Sequence, residues 1–193
     1  MDESIWPLPL GDLREKVAGT DPVPAGVAIS AVTASLALGL VAKVLEINRR
    51  RKGFEGDPKE LDALVDGVRR VSIQLTHLAD ADVQAFNRYM ELARRKESTD
   101  EAMREAIRVP MDAARAVSKG LDLCREAAPH CRTGMTASDF AVAGALLSGA
   151  LRGLLISIES NIQHLPGDDS FSREISAELP RLRDALAGIS FHE

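Results

Sequence analysis

Between Val23 and Ala42 the chain runs for twenty residues, VPAGVAISAVTASLALGLVA, without a charge. A run of that length must be buried somewhere, and roughly 20 apolar residues also suffice to cross a bilayer. Its makeup favours a protein core. Ala25, Gly26, Ala28, Ser30, Ala31, Thr33, Ala34, Ser35, Ala37 and Gly39 are small or polar, which weakens insertion, although Arg49, Arg50, Arg51 and Lys52 could flank a span. A second run of the same character, Phe140 to Ile158, contains GALLSGALRG.

The remaining periodicity is helical, and no segment of four to eight residues alternates as a strand does. Gly11 to Val17 reads as a short helix, stopped by Pro22 and Pro24. After a break at residues 52–58, Asp57 as N-cap and Pro58 at the first helical position open an amphipathic helix to about Arg95. Its apolar positions, among them Leu61, Leu64, Val68, Leu75, Phe86 and Tyr89, recur at three and four residue steps. Ser98 or Thr99 before Asp100-Glu101 marks another start, and Pro110 predicts a kink. Residues 127–134 read as a loop, Thr136 or Ser138 caps the second apolar helix, and a polar terminal helix ends near Gly188. The prediction is one all-α domain over residues 1–193: an up-and-down bundle around two central small-residue-rich apolar helices, near Val27 to Leu45 and Phe140 to Ile158.

Composition narrows the function. The 193 residues carry a net charge of −5 and 4% aromatic side chains, so a basic nucleic-acid footprint and base-stacking platforms are missing. The acidic start from Met1 to Trp6 does not read as a secretory signal. Cys124 and Cys131 lack partners at metal-ligand spacing and read as thiols in a reducing cytoplasm. The expectation is a cytoplasmic protein without membrane or nucleic-acid partners and without a metal.

The polar residues that interrupt apolar faces carry the candidate chemistry. Asp82 falls one turn before Phe86 on the same side of its helix. A carboxylate on a half-buried face is costly without a partner, so Asp82 either caps or pairs with a neighbouring helix or acts on a ligand. Asp139 opens the second apolar helix, where a first-turn acid also complements the dipole. Arg152 and Asn161 interrupt that helix two and a half turns apart. The four histidines have no ligand spacing, and GxSxG, HExxH and P-loop patterns do not occur.

The order of these pieces resembles the cyclodeaminase/cyclohydrolase family. The resemblance runs from about residue 8 to 165. It is carried by the Pro22-Val23-Pro24-Ala25-Gly26 turn before an Ala-rich helix, Arg51 and Lys52 with Phe54, DADVQAF at 80–86, Val109-Pro110, Ser138-Asp139 and the segment ending in Asn161. It implies an all-α homodimer that opens or closes the one-carbon bridge between N5 and N10 of tetrahydrofolate, as a methenyltetrahydrofolate cyclohydrolase or a formiminotetrahydrofolate cyclodeaminase. The free-standing length favours the cyclohydrolase. Folate is then the substrate, and no metal or redox cofactor is implied.

Carried over by position, Asp82 and Asp139 are the acid/base candidates and Asn161 the orienting amide. Arg51 and Lys52 would meet the glutamate tail, and Pro24 and Gly26, with Phe86, would line the substrate. The sequence departs from the family pattern at Ala25-Gly26-Val27-Ala28, which is usually three glycines and a serine. It departs again at Arg132-Thr133 and at Ser157. Helix-packing residues are kept, so a retained fold acting on a different cyclic amidine or iminium, or a non-catalytic helical binding protein, are the alternatives.

Overall fold

A computed structural model describes residues 4–52, 56–131, 134–165 and 170–187. These form six helices: α1 Leu10–Ala18, α2 Gly26–Arg49, α3 Pro58–Arg95, α4 Asp100–Cys131, α5 Ala137–Ile162 and α6 Ser170–Asp184. Among the described residues there is no strand. Helices α2 to α5 pack in chain order, α2 closes the ring against α5 and touches α4 across it, and α6 docks on α4 and α5. The connections are short, so sequential neighbours run antiparallel. The start of α2, the second half of α3, the start of α4 and the end of α5 therefore meet at one end of the bundle.

Local chemistry sets most boundaries. Asp57 accepts a hydrogen bond from the Lys59 N–H at 2.9 Å with Pro58 beside it, as the sequence predicts. α3 ends where Lys96 turns left-handed at φ 57°, and its N–H reaches the Ala93 carbonyl. Thr136 is the N-cap of α5 without a side-chain cap bond, because its hydroxyl donates to Asn48 Oδ1 at 3.2 Å instead.

The expected loop at residues 127–134 is helix as far as Cys131. Ala127, Ala128 and Cys131 are buried there, and the buried Asn48 amide donates to the last-turn carbonyl of His130 at 2.8 Å, so packing and a side-chain cap carry the helix past Pro129. Residues 132 and 133, and Gly188 where the terminal helix is predicted to end, lie outside the described residues.

The core is built from side chains such as Leu38, Leu45, Met111, Phe140, Leu147 and Leu154, all fully buried. Both apolar helices are long and apolar enough to cross a membrane by length and composition. Here each packs into the bundle, with 61% and 50% of its most apolar window buried. Their small residues permit the close approach: a methyl at Gly153 of α5 would stand 2.7 Å from Ser30 Oγ of α2. On the far side, the N-terminal segment straps over α3, where the Ile5 N–H donates to Asp80 Oδ1 and Trp6 Nε1 to the Thr76 carbonyl, both at 2.9 Å.

Candidate functional site

At the end where four helix termini meet, a cavity of about 330 Å³ opens between the 22–27 turn, α3, α4 and α5. Its walls include Gly26, Val27, Asp82, Phe86, Ser157 and Asn161, and among the described residues Asp82 is the one ionisable side chain that lines it. Asp80 and Asp82 are two residues apart and so lie on different sides of α3. One holds the N-terminal strap and the other faces the cavity.

Asp82 has two partners in tension. Burial pushes its carboxyl up to about 6 from an ordinary 3.8, while the Ala28 backbone N–H, donating to the carboxylate, pulls it down. That N–H belongs to the first turn of α2, whose N-cap Ala25 offers no side-chain oxygen. Asp82 thus satisfies from α3 an orphan donor that α2 cannot satisfy itself. The capping role weighed from the sequence is present. Desolvation is nevertheless the larger effect, and it leaves a carboxyl that exchanges a proton near neutral pH.

Asn161 is placed by a proline. Pro110 lacks the N–H that would bond the carbonyl of Ala106, four residues earlier in α4. The Asn161 Nδ2 donates to that carbonyl at 3.3 Å. One end of the amide is fixed by the defect, while the side chain lines the cavity. Two features that look unrelated in sequence, Val109-Pro110 and Asn161, form one device.

Gly26 is the first residue of α2. A Cβ there would meet only Ser157 Oγ, at an ordinary 3.7 Å, so no protein neighbour requires the glycine and its cost would be cavity space. Pro24 is buried and lines an adjoining groove of about 560 Å³ that shares Pro22 and Val23 with the cavity.

Asp139, Arg51 and Lys52 are elsewhere. Asp139 lies in the first turn of α5, roughly 33 Å along the helix from Asn161, and its carboxylate accepts from Lys43 Nζ at 3.3 Å on the surface. Arg51 and Lys52 follow the C-terminus of α2, roughly 35 Å from Gly26. The Arg51 guanidinium lies over Gly134, which has a φ of +89°, and a Cβ there would stand 2.9 Å from Arg51 Nη1. Phe54 lies outside the described residues.

The structure adds residues that the sequence reading did not single out. Ser160 of α5 lines the cavity, beside Val27 and Ser157, two of the positions at which the sequence departs from the family pattern. An adjoining cavity of about 750 Å³ shares Phe86, Ala106 and Asn161 with this one and is bordered by Tyr89, Met103, Arg104 and His164. Tyr89 was within reach of pattern reading, since Asp82, Phe86 and Tyr89 share a face at helical spacing. Arg104 carries no such signal, because only the fold brings the start of α4 to the end of α5.

A sequence model of the family described as formiminotransferase-cyclodeaminase matches residues 9–181. The formimidoyltransferase-cyclodeaminase of Mus musculus is 25% identical over 192 residues, which span 94% of this chain and 35% of that protein. That of Gallus gallus is 26% identical over 194 residues with the same shares. The chain thus spans about a third of the length of these curated relatives. Among solved structures, the formiminotetrahydrofolate cyclodeaminase from Thermotoga maritima superposes with a TM-score of 0.84 at 26% identity, covering 95% of this chain and 92% of that one.

Proposed function

The chain belongs to the formiminotransferase-cyclodeaminase family, and from that premise we propose that it makes or breaks a C–N bond at the one-carbon bridge of a tetrahydrofolate. The observation that carries this reading is Asp82, the single ionisable group in the cavity wall among the described residues, with its carboxyl held near pH 6 by burial. A reaction through a tetrahedral carbon between two nitrogens needs a group that accepts one proton and donates another, and efficiency peaks when its pKa lies near the working pH.

In the hydrolytic direction, water adds its oxygen to the cationic methenyl carbon and one of its protons passes to Asp82. The carbon's bond to one nitrogen then breaks as Asp82 returns that proton to the nitrogen, and the remaining hydroxyl proton leaves to solvent as the oxygen becomes the formyl carbonyl. In the deaminating direction, N10 attacks the carbon of the protonated formimino group, Asp82 takes the N10 proton and delivers it to the departing amine, and ammonia leaves with the methenyl bridge closed. Asn161, fixed through Ala106, orients the substrate by hydrogen bonding.

In this reading the protein is a cytoplasmic homodimer that takes folate as substrate and uses no further cofactor. The exposed sides of the two apolar helices, with Leu36, Val142, Leu146 and Ile156, are the surface a second copy would cover. Asp139, Arg51 and Lys52 have no path to the Asp82 cavity within their own copy, so any role of theirs on the substrate runs through that second copy.

Methenyltetrahydrofolate consumption, followed by loss of its absorbance against buffer, and ammonia release from formiminotetrahydrofolate test the two directions. Wild type should accelerate one of them and Asp82→Asn should not. Acceleration of neither refutes the reading. One observation favours a second reading: Ala25 and Val27 put side chains into the wall of an already small cavity. A related cyclic amidine that is smaller at that wall would then stabilise the protein in a thermal shift where folates do not.

A further inference from the structure

We infer that Asp80 is a positioning residue for the cavity: by holding the strap at residues 4–8 on α3, it fixes the 22–26 turn that walls the Asp82 site. Its part in substrate binding rests on the tetrahydrofolate reading above, whereas its hold on the turn does not.

Pro22, Val23, Ala25 and Gly26 border the cavity, so the turn before α2 shapes much of its wall. Downstream the turn runs into α2, which is packed into the bundle. Upstream it runs into α1, a helix without a buried residue that packs on no other helix among the described residues. Of the α1 side chains only Leu13 is partly buried against the core. The helix next to the turn is therefore a weak anchor for it.

The chain is held further back. Ile5 is buried, Trp6 and Leu8 pack against the core, and the Leu8 N–H closes a turn onto the Ile5 carbonyl at 3.3 Å. Two long-range hydrogen bonds seat this unit on α3: Ile5 N–H to Asp80 Oδ1 and Trp6 Nε1 to the Thr76 carbonyl, both at 2.9 Å. Thr76 and Asp80 are one turn apart, so both bonds fall on one face of α3. That face continues to Gln84, where Ile5 and Leu8 of the strap and Pro22 and Pro24 of the turn border one groove.

The spacing of Asp80-Ala81-Asp82 joins the strap to the site. Asp82, on another side of α3, accepts from the Ala28 N–H, and Asp80 accepts from the Ile5 N–H. The chain from Ile5 to Ala28 is thus a loop closed at both ends by carboxylates two residues apart, with α1 and the turn inside it. Closing a loop removes conformational freedom from everything it contains. Opened at Ile5, the same residues become a tail held at one end, and the cavity wall loosens with it.

Hydrogen exchange read by mass spectrometry over residues 19–27, together with the fluorescence of Trp6, the one tryptophan of the chain, tests this in the full-length protein. Asp80→Ala should move the Trp6 emission to longer wavelength and speed exchange over residues 19–27 by about tenfold or more, the scale of a lost hydrogen bond to a charged group. Asp80→Asn keeps an acceptor oxygen and should stay close to wild type. Ile5→Pro removes the donor instead and should reproduce Asp80→Ala, and the two together should add nothing further. Should Asp80→Ala fail to fold, Ile5→Pro carries the test.

In turnover of tetrahydrofolate substrates, Asp80→Ala should raise KM by about tenfold with kcat within about twofold, because Asp82 keeps its place. A purely structural loss would lower the active fraction and leave KM alone. Release of Trp6 with exchange over residues 19–27 unchanged overturns the inference, and so does a Trp6 emission that Asp80→Ala does not move. Faster exchange with KM unchanged overturns the part in substrate binding. If wild type turns over no folate while exchange responds as expected, the tetrahydrofolate reading fails and the hold of Asp80 on the turn stands.

Discussion

Replacing Asp82 by asparagine separates the two roles that the structure gives this carboxylate. Asparagine keeps an oxygen that can accept from the Ala28 N–H, so the first turn of α2 stays capped, but it removes the charge that burial opposes. A rise from 3.8 to about 6 corresponds to about 3 kcal/mol of differential interaction between the protonation states. The folded protein binds this proton more tightly than the unfolded chain does. The protonated carboxyl's contribution to stability is therefore complete below about pH 3.8, erodes as pH rises, and is gone above about pH 6.

Asp82→Asn should then match wild type near pH 4 and exceed it at pH 8, by at most about 3 kcal/mol. Urea denaturation followed by circular dichroism at both pH values measures this directly. The same variant should lose about 100-fold or more in turnover, the scale of a lost general acid or base. Gain in stability with loss of activity is the signature of a group kept for chemistry. A variant less stable than wild type at pH 8, or a difference that does not grow between pH 4 and pH 6, refutes the argument that burial dominates at Asp82. A variant that keeps full turnover would leave Asp82 as a helix cap only.

Three further outcomes follow from the packing. Gly153→Ala sets a methyl 2.7 Å from Ser30 Oγ, the rotatable end of a side chain, so the cost should stay at the low end of overpacking, about 1 kcal/mol; in a Ser30→Ala background, which removes the hydroxyl, it should nearly vanish, and an equal cost in both backgrounds would show that the clash lies elsewhere. Asn161→Ala should cost about 1 kcal/mol, the worth of its bond to Ala106. In a Pro110→Ala background, where a helical N–H is supplied to that carbonyl, the cost should nearly vanish, and a double-mutant cycle without coupling would dissolve the link. Burial pushes both the Cys124 and Cys131 thiols up to about 12, so iodoacetamide at pH 8 should label neither until urea unfolds the chain; mass spectrometry showing rapid native labelling would contradict that burial.

Helix content, the order of the helices and their apolar faces were legible from spacing alone, because 3.6-residue periodicity and capping residues such as Asp57 and Pro58 act within a few residues of themselves. Family membership was legible as well, through the order of short segments. The end of α4 was not, since it depends on the burial of Ala127, Ala128 and Cys131 and on Asn48, more than eighty residues earlier, capping the last-turn carbonyl of His130. The candidate site was legible in part. Asp82, Phe86, Gly26 and Asn161 do share one cavity, whereas Asp139, Arg51 and Lys52 sit at the opposite end of the bundle.

The difference has one physical cause. A sequence fixes which side chains share a helix face, because that is set by rotation per residue, and so it could pair Asp82 with Phe86. It does not fix which helix ends meet. That depends on up-and-down packing, which brings the start of α2 to the end of α5 and carries the far end of each helix more than 30 Å away. The uncharged run from Val23 to Ala42 determined by itself that a helix would be buried. Only the tertiary structure decided that its first turn would be capped from α3 by Asp82, and that the burial accompanying this cap would bring the carboxyl near pH 6.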